Sequence, residues 1–270
     1  MRKTYKLYIG GAFPRSESGR SYEVYAAAGR SGKRAFLANA AKASRKDARN
    51  AVVAARKAVG GWAGATAYNR GQVLYRVAEV MESRRDQLVA EVRAAEGLSP
   101  ARAGAVVDAA IDRWVWYAGW SDKFAQITGN LNPVAGPYFN ISAPEPTGVV
   151  AVLAPQDSSL LGLVSVVAPV IVTGNTCVVV SSESMPLPAI TLAECLATSD
   201  VPGGVVNILT GDAAEMAPWL ASHLDVNGID LTGAADLDWA ALEAAAADNL
   251  KRVRRPGDED LTAVHELTRM

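Results

Sequence analysis

The sequence predicts an α/β protein, with a parallel sheet covered by helices, a helical region before it and one projecting β-hairpin between the two. Three observations carry this expectation. From Thr147 onward, short apolar β-branched runs alternate with helical stretches, the pattern of strands joined by helical crossovers and buried on both faces. Upstream, residues 46–124 place apolar side chains at helical spacing. Between the two lies AQITGNLNPVAGPYFNISAPEPT (125–147), where Pro, Gly and Asn alternate with short β-branched and aromatic pieces, as in a hairpin rather than a linker.

Taken in order, residues 1–40 hold strand-like pieces at Tyr5–Ile9 and Tyr22–Tyr25 among Gly, Ser and Pro. Helices are expected over Lys46–Val59, over Asn69–Glu96 with Val73, Val77, Val80, Met81, Leu88 and Val92 on one side, and over Pro100–Phe124. After the hairpin, strands are expected at Val149–Leu153, Thr176–Val180, Val205–Leu209 and Val226–Leu231. Helices fall between them at Ser159–Val172, Pro186–Ser199 and Ala213–His223. A last helix, Asp238–Lys251, runs into the basic cluster Lys251-Arg252-Val253-Arg254-Arg255, and the tail from Pro256 is of mixed charge with a helical turn or two. This divides the chain into a helical part (1–125), the hairpin (126–147), an α/β part (148–250) and a tail (251–270).

Composition excludes several classes of function. Against 28 acidic residues stand 27 Lys and Arg, for a net charge of −1, so no electrostatic footprint favours nucleic acid or an anionic membrane. The basic cluster is short and sits at a helix end, where dipole complementation and solvation account for it. Two cysteines make no disulfide framework. The N-terminus lacks the apolar region of a signal peptide, and the apolar run Leu160–Val172, which contains Pro169, falls short of the ~20 residues a membrane span needs. A cytoplasmic protein is expected. Trp114, Trp116, Tyr117 and Trp120 resemble a binding box, but Trp116 and Trp120 are four apart on a helix, which favours packing. No metal-ligand spacing, P-loop or Ser–His–Asp arrangement is present.

Several segments together resemble one family. YAGWSDKF (Tyr117–Phe124), YFNISAPEPTGVVAVLAP (Tyr138–Pro155), GNTCVVV (Gly174–Val180), VPGGVVNILTGD (Val201–Asp212) and ASHLDVNGIDLTG (Ala221–Gly233) are similar, in order and spacing, to the NAD(P)-dependent aldehyde dehydrogenase superfamily. The resemblance covers nearly all of residues 5–235. It implies a Rossmann-like cofactor domain, an oligomerisation hairpin and a separate catalytic domain that supplies a cysteine nucleophile. It also implies a glutamate general base beyond the threonine–glycine motif. Only 37 residues follow Gly233, so the catalytic domain is expected to be missing, and the tail resembles the closing segment of some family members. Cys177 lies in an apolar strand and Cys195 on the helix LAECLA; both read as small buried hydrophobes. A reactive thiolate also needs an electropositive neighbourhood; only His223 and His265 are available as histidine partners, and spacing alone is weak support for a Cys–His dyad.

At the cofactor slots implied by the resemblance, the sequence departs from the family. Pro155-Gln156-Asp157 stands where the family has proline–tryptophan–asparagine. Asp157 would set a carboxylate where an oxyanion develops, and reads better as the N-cap of the following helix. Val180-Ser181-Ser182-Glu183 replaces lysine–proline–serine–glutamate, leaving Glu183 as either a ribose ligand or an exposed loop carboxylate. After the third strand only Gly211 is kept where glycines would admit pyrophosphate. Ala213 and Ala217 fill nearby slots, Asp212 and Glu215 add negative charge, and Trp219 brings an indole into the region where an adenine would lie. Thr232 and Gly233 remain, but Ala234 replaces the phosphate-binding serine.

Glu183, Gly211, Thr232 and Gly233 are therefore expected to be vestigial cofactor contacts. No catalytic residue, no metal and no cofactor is expected, with NAD or NADP the group if one binds at all. The expected partner is a full-length aldehyde dehydrogenase that receives the hairpin Gln126–Pro146, or a second copy of the chain. The alternative is a subunit that contributes a cofactor site to a composite oxidoreductase.

Overall fold

The structure is a computed structural model that describes residues 3–28, 32 and 34–257. The chain begins with a small three-stranded sheet in which β1 (Thr4–Tyr5) runs parallel, and β2 (Ser21–Tyr25) antiparallel, to the central β3 (Phe36–Ala41). Tyr5–Ile9 does not form one strand. Beyond Tyr5, Tyr8 bridges to Ile208 on the edge of the main sheet and Ile9 pairs with Ala12. β3 has no strand signature in the sequence because FLANAA is poor in β-branched residues.

Helix α1 (Arg45–Gly64) starts at a capping box in which Ser44 accepts the Asp47 N–H and Asp47 accepts the Ser44 N–H. The helix expected over Asn69–Glu96 is two helices, α2 (Ala67–Ser83) and α3 (Arg85–Glu96). Arg84 leaves helical geometry (φ −110°, ψ 16°) and sends its guanidinium to Glu194 at 2.5 Å, with Gln87 as a second acceptor. This long-range anchor fixes the break. Helix α4 (Pro100–Trp120) has Ser99 as its cap and Pro at its first position. It ends before Phe124, where the separate short α5 (Phe124–Thr128) begins. The hairpin forms as expected, with β4 (Asn130–Leu131) antiparallel to β5 (Ile141–Ser142) over two residue pairs.

The main sheet contains β6 (Val149–Leu153), β7 (Thr176–Val180), β8 (Val206–Leu209) and β9 (Gly228–Asp230), linked by α6 (Leu161–Val172), α7 (Leu187–Ala197) and α8 (Ala213–Ser222). Past β9 comes α9 (Trp239–Ala247), capped by Asp238, and then a fifth strand, β10 (Arg252–Arg254). All neighbours are parallel, in the order β10-β9-β6-β7-β8.

The expectation of a helix through Lys251 and a tail from residue 251 is corrected here. Leu250 takes a left-handed conformation (φ 57°), the Lys251 N–H closes back on Ala246 O, and the Arg252 N–H then pairs with Asn227 O. The α/β part thus extends through Arg254, and β9 has an outer neighbour. The rest of the tail, with His265, lies outside the described residues.

Successive side chains of β6 and β7 point to opposite faces, so the sheet divides the core in two. Val150, Val152, Cys177 and Val179 pack with Leu74, Val107, Trp114, Val164 and Ile190. Val149, Ala151, Val178 and Val180 pack with Ala51, Val52, Leu220 and Leu242 from α1, α8 and α9. Trp114 and Tyr117 are fully buried in the first core, with Trp116 packed against it, as packing rather than binding aromatics. Leu250 is 90% exposed, so its strained backbone gains nothing from burial. Leu250→Gly is expected to stabilise the chain by about 1 kcal/mol, read as a higher denaturant midpoint. A lower midpoint would mean that the leucine makes a stabilising contact.

Candidate functional site

In an open parallel sheet, ligands bind outside the carboxyl ends of the strands, where the loops converge. Here these loops are tied to one another. After β6, Gln156 donates its amide to Ala154 O (2.8 Å) and accepts the Glu183 N–H (3.1 Å), while Ser182 Oγ donates to the Gln156 carbonyl (3.0 Å). Gln156 therefore laces the loop after β6 to the loop after β7. No sequence motif signals this lacing.

Asp157 is exposed and caps nothing, which corrects the expectation. Helix α6 starts only at Leu161 with Leu160 as its N-cap, so Asp157 lies too far upstream for its carboxylate to meet the first-turn N–H groups. One other side chain does this work, and a second holds the turn before the helix. Ser158 Oγ accepts the Gly162 N–H (2.9 Å). Glu96, from the end of α3, accepts both the Ser159 N–H (2.8 Å) and its hydroxyl (2.6 Å). A carboxylate thus anchors the turn just before α6. Glu96 is 63 positions from Ser159, and sequence reasoning missed it because only tertiary packing joins them.

Glu183 is exposed and lines a cavity of about 460 Å³ with Tyr22, Glu23, Tyr25, Arg34, Gln156, Ser184 and Asp236. Among the described residues, three carboxylates and one arginine line it. Burial, with Glu183 nearby, pushes the Tyr22 hydroxyl pKa up, so it stays protonated.

Gly211 has φ 127° and sits against the linker before α1; a Cβ there would lie 3.2 Å from Ala43 N. The neighbouring Thr210 fixes the same joint, its carbonyl accepting the Ala43 N–H (2.8 Å) and its hydroxyl donating to Ala41 O (2.5 Å). The Thr232 hydroxyl and N–H both donate to the buried Asp230 carboxylate. Gly233 donates its N–H to Leu153 O (2.8 Å), and a Cβ on it would lie 1.9 Å from Ala154 O. The four residues thus divide. Glu183 faces the cavity, Gly211 packs against the linker before α1, Thr232 bonds Asp230, and Gly233 is tied to the end of β6.

Asp212 caps α8 through the Ala214 N–H (2.8 Å), and Glu215 pairs with Lys42 at 3.4 Å. Ala214, Ala217, Pro218, Leu237, Ala241 and Leu242 line an apolar cleft of about 210 Å³ between α8 and α9. Trp219 does not fill this cleft. It turns toward Ser44, Arg45 and Arg49 at α1 and packs edge-on against His223, with ring centroids 4.5 Å apart. Helical spacing decides this, since Trp219 lies on the side of α8 away from α9.

Both thiols are fully buried. Burial pushes the Cys177 pKa well up and that of Cys195 up to about 11, despite the Arg84 guanidinium 4.0 Å from its sulfur. Neither is a thiolate at neutral pH. Among the described residues no cluster of His, Cys, Asp or Glu could hold a metal ion, and no helix is long and apolar enough to cross a membrane.

Taken together, the described residues outside the strand ends form loops tied to one another, with Glu23, Glu183 and Asp236 beside Arg34. The α8–α9 cleft has the apolar character suited to a flat aromatic group.

Comparison with known proteins accounts for the fold. The profile described as "Aldehyde dehydrogenase family" matches residues 15–255. The chain is 34% identical over 254 residues to human retinal dehydrogenase 2, a match covering 92% of this chain and 47% of that protein. It is 33% identical over 258 residues to the putative aldehyde dehydrogenase DhaS of Bacillus subtilis (strain 168), covering 94% and 50%. The NAD+ complex of an aldehyde dehydrogenase from Bacillus cereus superposes with a TM-score of 0.83 at 27% identity, over 93% of this chain and 50% of that one. The chain thus spans about half the length of the curated relatives it matches. With the profile covering most of its length and its parallel sheet superposing on a family structure, this chain belongs to the aldehyde dehydrogenase family.

Proposed function

We propose that this chain acts as a non-catalytic subunit of a longer aldehyde dehydrogenase, docking through the hairpin 126–146. The observation that carries the reading is the state of that hairpin. It is held by two residue pairs, yet it presents Leu131, Tyr138 and Phe139 with 67%, 75% and 81% of their surfaces exposed. A thin ribbon with exposed aromatics and open edges suits a partner that covers it. The partner is a family member of the length of the relatives, and association with a second copy of this chain is the other arrangement the hairpin supports. Affinity purification of the tagged chain, co-expressed with full-length family members of its own genome, tests this. Recovery of one of them in stoichiometric amount is expected, and elution of the chain alone would contradict it.

Catalytic silence is part of the reading, supported by two buried, protonated thiols. The purified chain with NAD or NADP and a panel of aldehydes is expected to generate no reduced cofactor. Cys177→Ser and Cys195→Ser are expected to leave that blank unchanged. Turnover that co-purifies with the chain and is lost in either variant would overturn this part.

One observation favours the alternative, a subunit that contributes a cofactor site: the apolar α8–α9 cleft. Titration calorimetry separates the two readings. Two or three lost hydrogen bonds to charged groups, each worth about 1.5–3 kcal/mol, predict no saturable heat with NAD or NADP below millimolar concentration. A micromolar dissociation constant would favour the cofactor-contributing subunit instead.

A further inference from the structure

At the foot of the hairpin lies a cavity of about 640 Å³, on the far side of the sheet region from the loops described above. Its wall is mostly apolar, with Ala63, Phe124, Pro144, Pro146 and Val172, and its charged members are Arg70, Arg252 and Glu145. Arg70 is half-buried where α1 and α6 end. It donates Nε–H to Val172 O (3.1 Å) and Nη1–H to Ala65 O (2.5 Å) and Ala63 O (3.5 Å). These carbonyls hold the guanidinium in place, and Nη2 makes no hydrogen bond among the described residues. Arg252, the first residue of β10, spends Nη1 on Thr147 Oγ1 (3.0 Å), and its other terminal nitrogen makes no hydrogen bond among the described residues. Glu145 is exposed and forms no ion pair with either. The cavity therefore carries a net positive charge, with planar donors set in an apolar wall.

We propose that this cavity receives a carboxylate side chain, carried on an otherwise apolar segment of the partner chain, with Arg252 and Arg70 as its two donors. The inference rests on the docking role of the hairpin and names what the partner brings beside it. Charge complementarity selects the carboxylate, since paired planar donors suit its two oxygens. The apolar wall selects the flanking residues, and continuity with the hairpin base, residues 143–146, selects the partner chain as the source. Arg70, immobilised by three carbonyls, is pre-organised; Arg252 is the adjustable donor.

Two arms test it. In the first, sodium hexanoate serves as probe on the isolated chain, with 1-hexanol as the uncharged control. Hexanoate is expected to raise the thermal midpoint saturably in the millimolar range, with hexanol far less effective. Arg252→Gln should weaken the hexanoate response at least about tenfold, Arg252→Lys should restore part of it, and Glu145→Gln should tighten it. Equal responses to hexanoate and hexanol, or an unchanged response in Arg252→Gln, would overturn the proposal.

The second arm measures the affinity of the full-length partner for the same variants. Arg252→Gln is expected to weaken the complex by a similar factor, more at low than at high salt. If the hairpin aromatics are required and Arg252 is not, docking stands and the cavity proposal falls. If no partner associates but hexanoate binds through Arg252, the subunit reading fails and the cavity serves a free carboxylate, which also contradicts a partner segment.

Discussion

Gly233→Ala is expected to destabilise the chain by about 3 kcal/mol or more, at the upper end of what overpacking does. The new Cβ would lie 1.9 Å from the carbonyl oxygen of Ala154 and within 2.8 Å of that of Leu153. Both obstacles are backbone atoms of the central strand region, so no rotamer change relieves the clash. Relief would require separating β6 from the loop after β9 and breaking the Gly233 N–H bond to Leu153 O. Gly61→Ala provides the contrast. Gly61 lies in α1 with nothing within 4 Å of a built Cβ, so alanine should stabilise by up to about 1 kcal/mol through helix propensity. Chemical denaturation of the two variants beside wild type checks both signs. A wild-type midpoint for Gly233→Ala would mean that this loop is free to move, and would reopen Gly233 as a residue kept for a ligand.

The second large effect is on association. Tyr138→Ala with Phe139→Ala is expected to weaken the complex by about 3 kcal/mol, roughly a hundredfold in affinity. Interface aromatics carry a disproportionate share of binding energy when partners cover them. In the isolated chain these two rings are among the most exposed apolar groups, so the thermal midpoint of the double variant should match wild type. The pair of readouts isolates docking from folding. Tyr138 also lies near Gly136, where a Cβ would come within 2.9 Å of its ring. Phe139→Ala alone is the cleaner probe of the partner contact and should account for at least half of the loss.

Much of this architecture is legible in the sequence. The parallel sheet and its crossovers follow from VVAVL and TCVVV, whose β-branched runs occupy β6 and β7 to the residue. The hairpin follows from its Pro, Gly and Asn punctuation. The rest depends on partners distant in sequence. The break at Arg84 depends on Glu194, and β3 depends on two neighbours rather than on its own alanines. Strand β10 depends on the open edge of β9 and on the left-handed turn at Leu250, whereas LKRVRR in isolation continues a helix.

The site was less legible than the fold for the same reason. Asp157 has the right chemistry for a cap, but the helix starts too late for it, and Glu96 takes the neighbouring donors from another helix. Gly211, Thr232 and Gly233 are explained by local backbone packing. Their presence in a family motif therefore says little about ligand binding in this chain.

Size-exclusion chromatography with light scattering tests the central claim most directly, by giving the mass of this chain alone and mixed with a full-length family member. The account predicts a new species whose mass is the sum of the two chains in a fixed ratio, lost when Tyr138 and Phe139 are both alanine. A wild-type chain that elutes at its own mass of 28.3 kDa beside every full-length homologue would contradict it.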